Sequence, residues 1–237
     1  MILHTEVLGE GQPIVFLHTG LQTGMTDFEY QREYFKDKYK IVVPDLRGHG
    51  NSVNEDLGNF FEDSAEDLAE TLSQLDLESV HIVGCSLGGL VGLYFAKRYS
   101  HKIKSLTISG ILSEKPDNWL ELQKEDVEHQ AQLLKNKDAV SYFDSLHKSD
   151  WRQFLEMAKN DEWYPFEETK DLDGFNAPVL YMVGERNEAE TKGALFYPSL
   201  KEDVHVSIIP FASHLVHSEQ PDIYSRILEK FINEVHA

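Results

Sequence analysis

The sequence predicts an α/β fold: a mostly parallel sheet with helices on both faces and a helical segment inserted between two of its strands. Three observations predict it. Short runs such as Ile41-Val42-Val43, the β-branched Val80 to Val83, and Val179 to Val183 have the pattern of buried parallel strands. Stretches with apolar residues at helical spacing alternate with them, the pattern of a parallel sheet built from βαβ units. The strand pattern stops between about Ser113 and Phe175 and then resumes, so the flanking regions form one sheet around an excursion.

The elements follow in order. Ile2 to Leu8 and Ile14 to His18 are apolar runs joined by Gly9-Glu10-Gly11-Gln12-Pro13, a turn-rich link that suggests an N-terminal hairpin. Ile41 to Val43 is a strand ending at Pro44-Asp45, Phe61 to Leu75 an amphipathic helix, and Val80 to Val83 the next strand. Leu87, Leu90, Val91, Tyr94 and Phe95 recur on one helical face, giving a helix over roughly Leu87 to Tyr99. Further strands are expected at Ser105 to Ser109, Val179 to Val183 and His205 to Ile209. The stretch 113–175 is charged, helical in pattern and holds all three tryptophans, Trp119, Trp151 and Trp163. It reads as a helical cap within a single domain spanning 1–237. Most of its aromatics are expected to pack it onto the body, and lids of this kind exclude water and shape a pocket.

Composition narrows the function. With 41% apolar and 27% charged residues in 237, the chain has the makeup of a folded soluble protein. A net charge of −19 argues against nucleic-acid partners and anionic membrane surfaces, and disfavours polyanionic substrates. No secretory signal or long apolar span is visible, so the cytoplasm is the expected location. The lone cysteine, Cys85, excludes an intrachain disulfide and a multi-cysteine metal site, and its expected role is packing. Neither a metal nor a cofactor is expected, and the partner is a small-molecule substrate.

Gly84-Cys85-Ser86-Leu87-Gly88 lies between a strand pattern and a helix pattern. That context makes it a nucleophile elbow, a sharp turn that holds a serine hydroxyl out, and it nominates Ser86. Three further segments carry chemistry-bearing residues: Phe16-Leu17-His18-Thr19-Gly20, Pro44-Asp45-Leu46-Arg47-Gly48-His49-Gly50-Asn51-Ser52, and Pro210-Phe211-Ala212-Ser213-His214-Leu215-Val216-His217-Ser218-Glu219-Gln220-Pro221. In this order they resemble the oxyanion turn, the D-x-R-G-x-G-x-S loop, the elbow and the histidine loop of the α/β-hydrolase family, over essentially the whole chain. Thr19 stands where that family usually has glycine.

The resemblance implies a serine hydrolase. Ser86 would be the nucleophile and His214 the general base, with His217 its rival and His49 bracing its loop. It also implies an oxyanion hole made by the backbone N–H of Leu87 and that of Gly20, with Leu21 as the alternative to Gly20. The acid of the triad departs from the family pattern, because Asn187 occupies the usual aspartate position in Gly184-Glu185-Arg186-Asn187-Glu188-Ala189-Glu190. Glu188 in that role, Asn187 in a weak version of it, and Glu114 or Asp117 after the preceding strand are the readings, with Glu188 preferred. Glu185 and Glu190 read as a solvated acidic loop. Serine at 86 argues against haloalkane dehalogenase and epoxide hydrolase chemistry, which use aspartate there. The expected reaction is cleavage of a small, neutral or apolar carboxylic ester through an acyl-enzyme. Carbon–carbon bond hydrolysis or lyase chemistry is an alternative, as is a ligand-binding or signalling module on a hydrolase scaffold, for which Asn187 is the motive.

Overall fold

A computed structural model describes residues 1–235. Its strands are β1 (Thr5–Leu8), β2 (Gln12–Leu17), β3 (Tyr39–Pro44), β4 (Val80–Cys85), β5 (Ile103–Ser109), β6 (Val179–Gly184) and β7 (Val204–Ile209). They form one sheet in the order β1-β3-β2-β4-β5-β6-β7, parallel throughout except for β1. The helices are α1 (Glu29–Phe35), α2 (Phe60–Gln74), α3 (Leu87–Arg98), α4 (Trp119–Leu133), α5 (Lys137–Leu146), α6 (Arg152–Ala158), α7 (Phe166–Thr169), α8 (Glu188–Thr191), α9 (Gly193–Leu200), α10 (Val216–Glu219) and α11 (Pro221–Glu234). The predicted α/β class, with a mostly parallel sheet between helices, is the observed one.

Strand alternation builds the two layers. Val15, Leu17, Val80 and Ile82 face a core that they share with Leu68 and Leu72 of α2 and Val91 and Phe95 of α3. Ile14, Phe16, Val83 and Cys85 face the other, shared with Phe35 of α1 and Leu228 and Ile232 of α11. Side chains that alternate between two buried faces are nearly all apolar, and for this reason β4 reads as an apolar run interrupted only by His81, whose Nδ1 lies 2.7 Å from Ser105 Oγ.

The N-terminal hairpin does not form. β3 lies between β1 and β2, antiparallel to the first and parallel to the second. The linking glycines make this possible. Gly9 and Gly11 have φ of 70° and 111°, and a Cβ on Gly9 would stand 2.4 Å from Tyr39 O, so the link passes hard against the start of β3 and spreads its two strands a strand's width apart. A tight hairpin turn would have paired them directly.

Helices α4 to α7 are inserted between β5 and β6. Their aromatics divide between packing and lining. Trp151 is buried and donates Nε1–H to Asp144 Oδ1 at 2.9 Å, whereas Trp119, Phe154, Trp163 and Tyr164 border the cavity described below. Among the described residues, no helix is long and apolar enough to cross a membrane.

Candidate active site

The turn from β4 into α3 carries Ser86 at φ 54° and ψ −120°, a conformation that strains any residue with a side chain. Two glycines permit it. A Cβ at Gly84 would lie 2.3 Å from Gly88 O, and one at Gly88 would lie 2.1 Å from Leu17 O. Ser86 N–H donates to Ser109 O at 2.9 Å, tying the turn to the end of β5. Leu87 opens α3, where first-turn N–H groups lack an intrahelical partner and the helix dipole is positive. Cys85, directly before Ser86, is fully buried, and burial pushes its thiol pKa well up.

His214 lies in the loop after β7. A Cβ on Gly110 would be 3.1 Å from both His214 Cε1 and Ser86 N, so the imidazole sits beside the elbow where only glycine leaves room for it. His214 Nδ1 and Glu190 Oε1 are 2.6 Å apart. The neutral ring therefore carries its proton on Nδ1, which leaves Nε2 as the acceptor. Burial works to lower the His214 pKa, but the bond to Glu190 and its charge, joined by the charges of Asp126 and Glu219, together hold the pKa above the usual 6.5. Burial in turn raises Glu190, opposed by the bond to His214. With 44% of its side-chain surface exposed, His214 remains open to the cavity, while Glu190 is closed off at 3%.

The carboxylate on His214 is Glu190, not Glu188. Glu188 is the first residue of α8 and points into solvent. Asn187 is the N-cap of that one-turn helix, and its Oδ1 accepts the N–H of Glu190, the third residue, at 3.2 Å. This cap-to-third-residue spacing turns Glu190 back under the turn. Asn187 Nδ2 then donates to Glu190 Oε1 at 2.6 Å, so the asparagine touches this carboxylate rather than the histidine. The Tyr181 hydroxyl, 2.7 Å from Glu190 O and 2.9 Å from Ile111 O, secures α8 from below. Glu185, the other supposedly solvated residue, accepts the Phe211 N–H at 2.8 Å. The missed signal is the Asn-x-x-Glu spacing from 187 to 190, a capping pattern.

His217, the rival base, is 2% exposed and its Nε2 lies 2.7 Å from Asp27 Oδ1. The same carboxylate explains Thr19: Thr19 N–H and its hydroxyl both donate to Asp27 Oδ2, at 2.8 and 3.0 Å. His18 bridges two loops, its Nε2 accepting from Leu46 N–H at 2.9 Å and its Nδ1–H donating to Thr19 O at 2.8 Å. His49 Nδ1–H donates to Arg47 O at 3.1 Å, and its Nε2 accepts the Leu21 N–H at 3.3 Å. Leu21 is thereby committed, and Gly20 stands exposed, with nothing within 4 Å of where its Cβ would be.

Ser86, His214, Glu190, Leu87 and Gly20 border one cavity of about 820 Å³, roofed by side chains of α4 and α6. Glu125, Asp126 and Glu190 add carboxylates to its wall; no lysine or arginine among the described residues lines it. The described residues hold no group of three or more His, Cys, Asp or Glu side chains arranged to bind a metal.

Known proteins carry the same framework. The sequence profile of the family described as alpha/beta hydrolase fold matches residues 12–144. The mouse (Mus musculus) protein named serine hydrolase BPHL is 25% identical, over 97% of this chain and 82% of its own. An uncharacterised hydrolase of Bacillus subtilis, YcgS, is 25% identical over 87% of this chain and 72% of its own. Among solved structures, NosK from Streptomyces actuosus superposes with a TM-score of 0.82 at 23% identity, covering 96% of this chain and all 100% of its own. A thermophilic esterase from Thermogutta terrifontis gives 0.76 at 22%, covering 99% and 94%. The sheet order, the strained serine turn and the profile match lead to one conclusion: the chain belongs to the α/β-hydrolase fold family and is an enzyme of that family.

Proposed function

We propose that the protein is a serine hydrolase that cleaves a small, neutral or apolar carboxylic ester through an acyl-enzyme on Ser86. The observation that carries this reading is the 2.6 Å contact between His214 and a buried carboxylate, on the same cavity as a serine in an elbow turn. Ser86 Oγ attacks the ester carbon as His214 Nε2 takes its proton. The carbonyl oxygen becomes an oxyanion, held by the N–H groups of Leu87 and Gly20, and this stabilisation is worth several kcal/mol. Collapse breaks the carbon–oxygen bond, and His214 returns the proton to the departing alkoxide. Water, deprotonated by His214, then attacks the acyl carbon, and as the carbon–Oγ bond breaks His214 returns that proton to Ser86 Oγ, releasing the acid. Glu190 holds the ring and stabilises its charged form; Asn187 orients Glu190.

The preference for neutral substrates is supported by the wall of the cavity, which has carboxylates and no lysine or arginine. The segment 113–175 acts as the cap, with Trp119, Trp163 and leucines of α4 and α6 supplying apolar surface and keeping bulk water from the acyl-enzyme. The sensor reading drew its motive from Asn187 at the acid position; the buried Glu190 carboxylate against His214 supports the enzyme reading over it. Names of relatives such as serine hydrolase and esterase agree with an ester substrate. The test is labelling by a fluorophosphonate together with hydrolysis of p-nitrophenyl acetate. Both should be present in the native protein and absent in Ser86→Ala. A folded Ser86→Ala protein that keeps its turnover would end the proposal.

A further inference from the structure

Leu21 holds φ at 63°, a conformation a branched side chain keeps only where its surroundings enforce it. Two imidazoles enforce it. His49 Nε2 accepts the Leu21 N–H at 3.3 Å, and His147 Nε2–H donates to Leu21 O at 3.0 Å. His49 belongs to the loop after β3, whereas His147 ends α5 in the inserted segment and is 6% exposed. His147 Nδ1 accepts the Gly50 N–H at 2.8 Å, and the next residue, Lys148, donates its N–H to Gly50 O at 2.9 Å. The inserted segment thus grips both backbone groups of Gly50 and reaches past it to Leu21. Accepting on Nδ1 while donating on Nε2 assigns His147 the neutral Nε2–H tautomer.

The Gly20 N–H shares a planar peptide with Thr19 O, so the direction of one sets the direction of the other. Thr19 O accepts from His18 Nδ1–H at 2.8 Å and from the Gln22 N–H at 3.2 Å, and Leu21 lies between these anchors. From this we infer that His147 is a positioning residue for the oxyanion hole: through its imidazole the inserted segment holds the 19–22 turn in the form that aims the Gly20 N–H at the carbonyl attacked by Ser86. The inference rests on the esterase reading above and adds a second task for the cap. Seating of the segment and assembly of the oxyanion donor are coupled, so an unseated cap leaves substrate bound but unreactive. A donor that acts only in the transition state affects kcat and leaves KM nearly unchanged.

Two substitutions separate the bonds of His147. His147→Gln brings an amide N–H to the Nε2 position and keeps the bond to Leu21, giving up Gly50. His147→Asn brings an oxygen to the Nδ1 position and keeps Gly50, giving up Leu21. His147→Asn is expected to lower kcat for p-nitrophenyl acetate by about 10- to 100-fold with KM within about threefold, and His147→Gln to stay within about threefold in both. Ser149→Ala removes a different bond between segment and body, the Asn54 N–H to Ser149 Oγ at 3.0 Å, and should leave kcat unchanged. Thermal unfolding of each variant confirms that it folds. A folded His147→Asn protein with native kcat overturns the inference, as does an equal loss in Ser149→Ala. Should His147→Asn fail to fold, a fall of tenfold or more in His147→Gln overturns it instead. In each case Ser86→Ala remains the separate test of the esterase reading.

Discussion

Glu190 owes its place to Asn187. A one-turn helix is too short to be stable alone, so its cap and its anchor at Tyr181 decide where its third residue points. Glu190→Gln should lower kcat by about 10³- to 10⁴-fold, as loss of the acid does in comparable triads, while Glu188→Gln stays within about twofold. The pH profile gives an independent check. The folded His214 pKa is raised, and catalysis needs the neutral ring, so kcat/KM should climb with pH along a limb centred above 6.5. The limb belongs to the coupled pair rather than to His214 alone. Removing the Glu190 charge leaves burial to lower the histidine, so in Glu190→Gln the limb should move to lower pH. That Ser86 and His214 border one cavity was legible because each sits in a motif whose spacing is local. Which carboxylate meets His214 was not, because strand, turn and helix cap together aim it, and those at 185, 188 and 190 are close neighbours in the chain.

At the level of elements, the 19–22 turn is braced by segments distant in sequence. Asp27, held by His217 and by Thr19, joins the turn to α10 across nearly the whole length of the sequence. Despite its burial, the His217 contact and the Thr19 N–H hold the Asp27 pKa well below the usual range. A depressed folded pKa contributes stability that is present above the unfolded value, near 4, and is lost as the pH falls toward the folded one. The stability gap between native protein and Asp27→Asn in urea unfolding should therefore be full at pH 6 and narrow steadily below about pH 4. A gap independent of pH would show that the carboxylate's charge is not what matters. The sequence showed Thr19 only as a departure from the family glycine; its hydroxyl makes sense once Asp27 is seen beneath it. The supposed hairpin failed for a related reason. Apolar runs and turn residues announce two strands and a reversal, but they do not say that a third strand enters between them.

Across the molecule, the alternation of strands and helices was readable, because a doubly covered sheet writes its burial into the central strands, while the edge strands β1 and β7 carry exposed positions. The excursion after β5 was readable only as a gap in that rhythm. Its contacts with the body, through Gly50, Asn54 and Leu21, run mostly between backbone groups and side chains far apart in sequence. The net charge of −19 acts at this scale as well. It and the acidic wall of the cavity should make a hemisuccinate ester a poorer substrate than a neutral ester of the same length, by about tenfold in kcat/KM at low salt. Raising ionic strength to 0.5 M should narrow the ratio as screening shortens the range of the field. Equal rates for both esters at low salt would mean that the cavity wall is electrically silent.

The fully buried thiol beneath the elbow has a practical corollary. Since Cys85 is the chain's one sulfhydryl and no reagent reaches it while β4 stays paired, its reaction with Ellman's reagent marks a chain that has opened at the centre of the sheet. The colour released over hours would then time how often the strand beneath Ser86 comes apart, with no label added.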